Sequence, residues 1–222
     1  SLERDFDIGV RIEAANALGS LRAVDQLSGL IEQLEGPRNR EARDVRIAII
    51  QAMGMIGSQD AGPALTRMLK DEDDRIVEEA IQVLGVTSYK AAYPDLLNLF
   101  KTSRNSDVRE YSLQAIALMR EPDAVSLLES LFDHSDDAYR RLSAEGLGRL
   151  DYDATLFADR IETEKSDSVR LAIFFALIAS GESEVRLAYG SNSVPLGSNG
   201  FAISPKRTAD GETFFMSNSH QP

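Results

Sequence analysis

One stretch of this chain reads Asp44-Val45-Arg46-Ile47-Ala48-Ile49-Ile50-Gln51-Ala52-Met53-Gly54, and its pattern is that of a short amphipathic helix. Val45, Ile49 and Met53 lie four residues apart and therefore share one stripe of an α-helix. Gly54 and Gly57 are then predicted to stop the helix. A second apolar pattern follows over residues 61–69, so the sequence predicts a pair of short helices.

The same phrase returns six times along the chain. Each copy has a polar turn residue, an aliphatic residue, usually an arginine, and an apolar helical stripe that ends on a small residue. The copies begin at Val10-Arg11, Val45-Arg46, Ile76-Val77, Val108-Arg109, Tyr139-Arg140 and Val169-Arg170. Successive copies are 35, 31, 32, 31 and 30 residues apart, a regularity that is typical of stacked repeats. Because one short helix pair cannot bury its own apolar stripe, pair must stack on pair around a continuous core.

The repeated phrase resembles the HEAT family of helical repeats, and more narrowly the short bacterial HEAT-like units. The resemblance rests on Asp44-Val45-Arg46, Ser106-Asp107-Val108-Arg109 and Ser166-Asp167-Ser168-Val169-Arg170, each followed by an alanine-rich helix. It covers about residues 7–182 and implies an all-α, right-handed α-α superhelical solenoid of about five and a half units. The third unit departs from the family pattern with Val77 in place of arginine, and the sixth lacks a second helix.

Small residues recur near the end of each first helix. We expect them to let first helices approach second helices closely. They are Ala15, Gly19, Gly54, Gly85, Ala117 and Gly148. The domain prediction is therefore a repeat array over residues 1–182 and a Gly/Ser-rich segment, incomplete as a domain, over residues 183–222.

Composition narrows the possible functions. The 222 residues are 43% hydrophobic, which suffices for a sizeable core, and the net charge of -12 disfavours nucleic acid and anionic membranes as partners. The chain has no cysteine, which excludes disulfides, thiolate metal sites and cysteine nucleophiles. No apolar run approaches the roughly 20 residues of a membrane span. The start carries no signal peptide and suggests a trimmed or processed chain, so the compartment, cytoplasmic or periplasmic, stays open.

The recurring arginines form a candidate binding column, Arg46, Arg109, Arg140 and Arg170, together with Arg11. Stacking would align them along one face, where they could bind an acidic peptide or a phosphate. The sequence favours a structural alternative, an Asp–Arg ladder between neighbouring units, because each arginine has a carboxylate nearby in an acidic chain. Five acids precede the column and also suit helix N-caps: Asp44, Asp74, Asp107, Asp137 and Asp167.

Two acidic turns, residues 71–74 and 133–137, lack the alternating ligands and distal glutamate of a calcium loop. We interpret them as solvated turns and His134 as an ordinary surface histidine. The sequence thus predicts no metal site and no cofactor.

The C-terminal segment has a different character. Residues 197–220 read GSNGFAISPKRTADGETFFMSNSH, and Asp210-Gly211 between two apolar runs predicts a β-hairpin. This stretch resembles the nucleophile region of the penicillin-amidase and acyl-homoserine-lactone acylase family of N-terminal nucleophile (Ntn) hydrolases. The resemblance implies self-cleavage at Gly197-Ser198, with Ser198 as the nucleophile and His220 as a catalytic-site residue. The freed α-amino group would serve as the base.

Three functions follow from these patterns. The favoured one is a non-enzymatic scaffold that presents a curved solenoid face to a protein partner. The acylase resemblance covers only about 25 residues, and the oxyanion asparagine and orienting acid of that family lie far downstream of the matched region. A fragment or precursor of an Ntn-type amide hydrolase is therefore the alternative, and a HEAT-like bilin lyase is a weaker one. In the scaffold interpretation the C-terminal segment caps the sixth unit, packing Phe201, Ile203, Phe214 and Phe215 on its first helix.

Intact-mass analysis of the incubated chain separates the scaffold from the hydrolase precursor. The scaffold interpretation expects a single uncut species for the wild type and for Ser198→Ala alike. A fragment that begins at Ser198 and is missing from the Ser198→Ala sample would contradict it and establish self-cleavage.

Overall fold

The structure is a computed structural model that describes residues 8–37, 39–40, 42–150, 152–179, 187–189, 192–194, 201–208 and 211–218. This part of the chain holds eleven α-helices: α1 Ile8–Ser20, α2 Leu27–Glu35, α3 Arg43–Ile56, α4 Gly62–Met68, α5 Asp74–Val86, α6 Tyr93–Thr102, α7 Ser106–Leu118, α8 Val125–Phe132, α9 Asp137–Arg149, α10 Ala154–Thr163 and α11 Asp167–Ala179. Odd-numbered helices are the first helices of the repeats, and even-numbered helices are their partners. The predicted all-helical repeat class is confirmed for this array.

Among the described residues, four strands follow the helices: β1 Leu187–Tyr189, β2 Asn192–Val194, β3 Phe201–Thr208 and β4 Gly211–Asn218. β1 pairs with β2 and β3 pairs with β4, both antiparallel, and Ile203 lies opposite Met216. Residues 209 and 210, which would form the predicted turn, lie outside the described residues, so the hairpin stays a prediction.

The chain divides into two compact units, Ser1–Ala124 and Val125–Pro222, called unit 1 and unit 2 below and described separately. The boundary predicted near residue 182 stays a prediction. None of the described helices is both long enough and apolar enough to cross a lipid bilayer.

The first helices begin at capping residues that precede the predicted acids. The Asp73 carboxylate accepts a hydrogen bond of 3.0 Å from the backbone N–H of Arg75, and the Asp136 carboxylate accepts one of 2.9 Å from Ala138. Asp74 and Asp137, predicted as caps, are instead the first helical residues. There a carboxylate is stabilised by the positive end of the helix dipole rather than by a capping bond.

Asp107 and Asp44, also predicted as caps, lie inside their helices as well, each as the second residue. The cap of α7 is Asn105, whose side chain accepts a 2.9 Å bond from the backbone N–H of Asp107. Asp167, the remaining predicted cap, is the first residue of α11.

In unit 1, the turn that follows each first helix contains a residue with a left-handed backbone conformation. The φ angles are 48° at Arg22, 73° at Gly57, 51° at Ser88 and 51° at Arg120. Only Gly57 adopts this conformation without steric cost, because the other three carry a Cβ. A short 3₁₀ turn then leads into the second helix in each repeat of unit 1.

Small residues bring first helices together. A Cβ added to Gly19 would lie 2.8 Å from Ala52 Cα, and one added to Gly85 would lie 2.8 Å from Ala115 Cα. The prediction that these glycines admit second helices is therefore wrong at these positions. They admit the first helix of the following repeat, because the two backbones come into direct contact there.

Unit 2 repeats this contact between α9 and α11. A Cβ on Gly148 would lie 2.6 Å from Ala176 Cβ and 2.9 Å from its Cα. The second helices close the core from the other side. Phe157 of α10 is fully buried, and its ring meets that of Phe132 edge to face at 5.8 Å.

We expect Gly85→Ala to lower the free energy of unfolding by about 1–3 kcal/mol, because the new methyl group overlaps the α7 backbone. Urea denaturation followed by circular dichroism measures the change. Helix propensity alone favours alanine by roughly 1 kcal/mol, so the sign identifies the close contact.

The matched control is Gly29→Ala in α2, where nothing lies within 4 Å of an added Cβ. This variant should gain about 0.5–1 kcal/mol of stability. A similar gain for Gly85→Ala would contradict the packing described here.

Candidate interaction surface

The arginine column is built into the turns that end the second helices. Arg46, at the start of α3, is 8% exposed and forms an ion pair with Asp71 in the turn after α4. Its guanidinium also donates to the Met68 sulfur at 3.2 Å. Burial alone would raise the pKa of Asp71, but the hydrogen bonds from Arg46 and from the backbone N–H of Asp73 outweigh it, so that this pKa is lowered.

Arg11 is 6% exposed and repeats this arrangement one unit earlier. Its guanidinium donates to the side-chain oxygen of Asn39, which follows α2 in sequence. Asn39 is fully buried and donates in turn to the backbone oxygen of Gln33 at 2.8 Å. Each arginine therefore fastens the end of its partner helix.

Arg140 makes the fullest version of the contact, in unit 2. Its guanidinium binds both carboxylate oxygens of Glu164 at 2.9 Å, and it donates to the backbone oxygens of His134 and Ser135 at 2.8 and 3.0 Å. The Glu164 carboxylate also accepts from the backbone N–H of Ser166 at 2.9 Å. The bond from Arg140 is the main reason why the pKa of Glu164 falls to about 2, and the same bond raises the pKa of Arg140.

The other two members of the column lie at the same repeat position. Arg109 donates to the backbone oxygen of Ser103, six residues earlier, at 2.9 Å. This bond holds the turn after α6, the second helix of the third repeat. The first helix of that repeat has Val77 in place of the arginine. Arg170 lies 4.0 Å from Asp167 within α11.

A ladder between neighbouring repeats does exist, but its donors are Arg43, Asn105 and Ser166 rather than the predicted arginines. It runs between the starts of successive first helices. Arg43 pairs with Asp73 at 2.9 Å, and the Asn105 side chain donates to Asp74 at 2.9 Å. In unit 2 the Ser166 hydroxyl donates to Asp137 at 2.9 Å.

Val77, which stands in the place of the repeated arginine, is followed by a buried acid, Glu78. Glu78 of α5 is 7% exposed, and its nearest cation, Arg75, lies 3.8 Å away. Burial raises the pKa of this carboxyl, Arg75 opposes the shift only in part, and Asp107 and Asp74 add to it.

A polar cleft of about 560 Å³ opens beside Arg46. Its lining is Arg40, Arg43, Arg46, Asp71, Glu72, Asp73 and Asp74. Four carboxylates outnumber three guanidiniums, and Arg43 and Arg46 are already ion-paired, so the cleft is ill suited to a phosphate. Within the described ranges, no group of three or more His, Asp or Glu residues is placed to hold a metal ion.

The predicted catalytic residues, Ser198 and His220, lie outside the described residues. His134 lies in the turn after α8. Its ring nitrogen accepts from the backbone N–H of Asp136 at 3.0 Å, and its ring is 4.9 Å from that of Tyr139.

Four exposed apolar side chains that the sequence analysis missed lie at the ends of first helices, and they are here called the apolar rim: Leu21, Val24, Met55 and Val86. The exposed fractions are 77%, 58%, 46% and 72%. Leu21 and Val24 follow α1, and Met55 and Val86 lie at or next to the last residues of α3 and α5, so the rim belongs to unit 1. The sequence does contain a signal for these positions, since Met55 and Val86 each directly follow the glycine that contacts the next repeat.

Glu164→Gln and Glu78→Gln should change stability in opposite directions at neutral pH. The folded-state pKa of Glu164 lies below its ordinary value of 4.5, so its ion pair stabilises the fold above that pH and is lost as the pH falls toward 2. We therefore expect Glu164→Gln to cost on the order of 3 kcal/mol at pH 7 and progressively less toward pH 2.

Glu78 has a raised folded-state pKa, so its charged form disfavours folding at neutral pH. Glu78→Gln should raise the urea midpoint at pH 7, and the gain should vanish once the wild-type carboxyl is protonated in both states. Stability curves of the two variants against pH measure both effects, and equal signs at pH 7 would refute the assignment.

Comparison with known proteins places this geometry in a family. A profile of HEAT repeats matches residues 1–85, 34–117 and 93–178. A structure of the complex of CpcE and CpcF of phycocyanin lyase from Nostoc sp. PCC7120 is 22% identical, with a TM-score of 0.60 over 80% of this chain and 74% of that chain. An engineered protein is 17% identical, with a TM-score of 0.57 over 81% of this chain and 93% of that chain.

No curated protein matches the chain by sequence. The comparisons give no support to the acylase resemblance of the C-terminal segment. The two structural similarities concern the fold alone, whereas the repeat profile covers most of the sequence. With its three overlapping matches between residues 1 and 178, the chain belongs to the HEAT-repeat family.

Proposed function

We propose that this protein is a non-enzymatic interaction scaffold that binds a protein partner through the apolar rim of unit 1. The carrying observation is the exposure of the four rim side chains, three of which are more than half exposed. Repeat arrays of this family type present extended surfaces for such contacts. Burying a leucine or valine side chain contributes about 1.5–3 kcal/mol, so the rim can supply a substantial part of a binding free energy.

The disposition of charge supports the same proposal. Arg46 and Arg140 are bound to carboxylates within their own repeats, so an acidic peptide or phosphate would have to displace those partners. Breaking a buried ion pair costs about 3–5 kcal/mol, more than a surface contact normally returns. In this proposal the arginine column stabilises the repeats, and the partner binds the rim.

The rim is tested with Val86→Asp, which places a charge at its most exposed α5 position. Partners captured by the wild-type protein are identified, purified and titrated by calorimetry against each variant. We expect Val86→Asp to weaken binding at least about tenfold, since a charge at an apolar contact costs more than 1.4 kcal/mol.

Asn98→Asp is the matched control, because Asn98 is exposed on α6, a second helix, whereas the rim lies at the ends of first helices. It should bind the partner like the wild type. Equal losses for both variants, or no loss for Val86→Asp, would show that the partner uses another surface.

A second candidate is a HEAT-like bilin lyase or a subunit of one. The similarity to the CpcE–CpcF complex of phycocyanin lyase favours it, because that structure shares the fold and is itself a complex of two proteins. Co-expression with a phycocyanin subunit and a bilin tests this candidate. Covalent attachment of the chromophore, detected by visible absorbance of the denatured subunit, would favour the lyase over a simple scaffold.

The Ntn-type hydrolase stays an alternative from the sequence alone. Ser198 and His220 are its proposed nucleophile and partner, and no contact of the described residues bears on either. Its outcome depends on the mass analysis of the Gly197-Ser198 bond.

A further inference from the structure

The methionines of the chain differ widely in their exposure to solvent. The chain has five of them and neither cysteine nor tryptophan, so the methionine thioethers are its most easily oxidised groups. Met53 and Met119 are fully buried and Met68 is 9% exposed, whereas Met55 is 46% exposed. The side chain of Met216 lies outside the described residues. Among the described methionines, a small oxidant dissolved in water therefore meets Met55 first.

Two of the buried methionines provide internal comparisons. Met53 lies in the same helix, α3, two residues before Met55, and differs from it in burial rather than in backbone environment. The Met68 sulfur accepts a hydrogen bond of 3.2 Å from the Arg46 guanidinium. This bond engages a sulfur lone pair, and that lone pair is what an oxidant attacks. Burial and bonding thus protect these sulfurs in ways that do not apply to Met55.

The Met55 sulfur also lies at the close contact between α1 and α3. A Cβ added to Gly19 would lie 3.2 Å from this sulfur and 2.8 Å from Ala52 Cα. The thioether therefore packs over the glycine at which the two helices approach each other. An apolar, flexible methionine fits such a place, and a polar group on the same sulfur would not. The state of this one atom consequently bears on the packing of two repeats.

We propose that Met55 is an oxidation site through which a peroxide controls the α1–α3 contact and the apolar rim. The sulfur lone pair attacks one oxygen of hydrogen peroxide, the O–O bond breaks and an S–O bond forms. The other oxygen leaves as water, so the sulfur is oxidised and the peroxide is reduced. The product is methionine sulfoxide, a polar and chiral side chain that methionine sulfoxide reductases convert back to methionine.

Oxidation of Met55 has two consequences. The polar sulfoxide lies over Gly19 and weakens the packing of α1 on α3. It also makes one member of the rim polar, which raises the cost of burying the rim under a partner. The second consequence rests on the proposed function of the rim, and the first does not.

Peptide mapping of the full-length protein tests the site. The protein is treated with dilute hydrogen peroxide, quenched with free methionine and digested, and each methionine peptide is followed by mass spectrometry. We expect Met55 to gain an oxygen at least about tenfold faster than Met53, Met68 or Met119. The urea midpoint should fall as Met55 is oxidised and should recover after treatment with the reductases. Equal rates at Met53 and Met55 would overturn the proposal.

Two leucine variants identify the sulfur responsible for the loss of stability. Met55→Leu keeps an apolar side chain without a sulfur, so its urea midpoint should not respond to peroxide. Met216→Leu removes the methionine of β4 and should leave the response of the wild type intact. A Met55→Leu protein that loses as much stability in peroxide as the wild type would overturn the proposal.

Met55→Gln imitates the polarity of the sulfoxide without any oxidant. Its urea midpoint should lie below that of Met55→Leu, and equal midpoints would overturn the link between polarity and the α1–α3 contact. With a purified partner, peroxide should weaken binding to the wild type, and reductase treatment should restore it. Unchanged affinity would overturn the control of the rim. A Val86→Asp protein that binds normally would instead overturn the rim function and leave the oxidation and stability results standing.

Discussion

Close backbone approach between first helices, at α1–α3, α5–α7 and α9–α11, is the constraint on which the repeats depend. Gly19 and Gly85 in unit 1 and Gly148 in unit 2 leave room for no side chain at this contact. The partner position in the next repeat is Ala52, Ala115 or Ala176, again a small residue. Because the helices touch at their backbones, the interval between repeats is fixed, and the polar contacts at their ends can recur in the same register.

Those polar contacts lie at two places, the start of the first helices and the end of the second helices. At the start of the first helices, caps such as Asp73 and Asn105 satisfy backbone N–H groups and bind the neighbouring repeat. At the end of the second helices, Arg46 and Arg140 hold the turn through a buried carboxylate. A buried guanidinium is tolerated only with such a partner, so binding a ligand at Arg46 or Arg140 would require breaking its ion pair.

The proposed scaffold function rests on surface rather than on chemistry. In this proposal the exposed apolar side chains of unit 1 bind the partner, because the charged side chains are already paired. The pKa values of Glu78 and Glu164 shift in opposite directions for one reason. Glu164 is buried beside Arg140, whereas Glu78 is buried next to Val77, which stands in the place of the repeated arginine. The loss of one repeated side chain thus changes the electrostatics of its unit without changing the helices.

The amino-acid sequence alone established the repeat interval, the helical class and the family resemblance, because these depend on periodicity that is local to each repeat. It also located the arginine column and the small residues. It assigned the wrong partners to both, since Asp71 and Glu164 lie about 25 residues from their arginines and the glycines meet helices of the next repeat. Which side chains pair, and which of many similar aliphatic residues stay exposed in the rim, depend on contacts between segments distant in sequence, and only packing in three dimensions fixes those contacts.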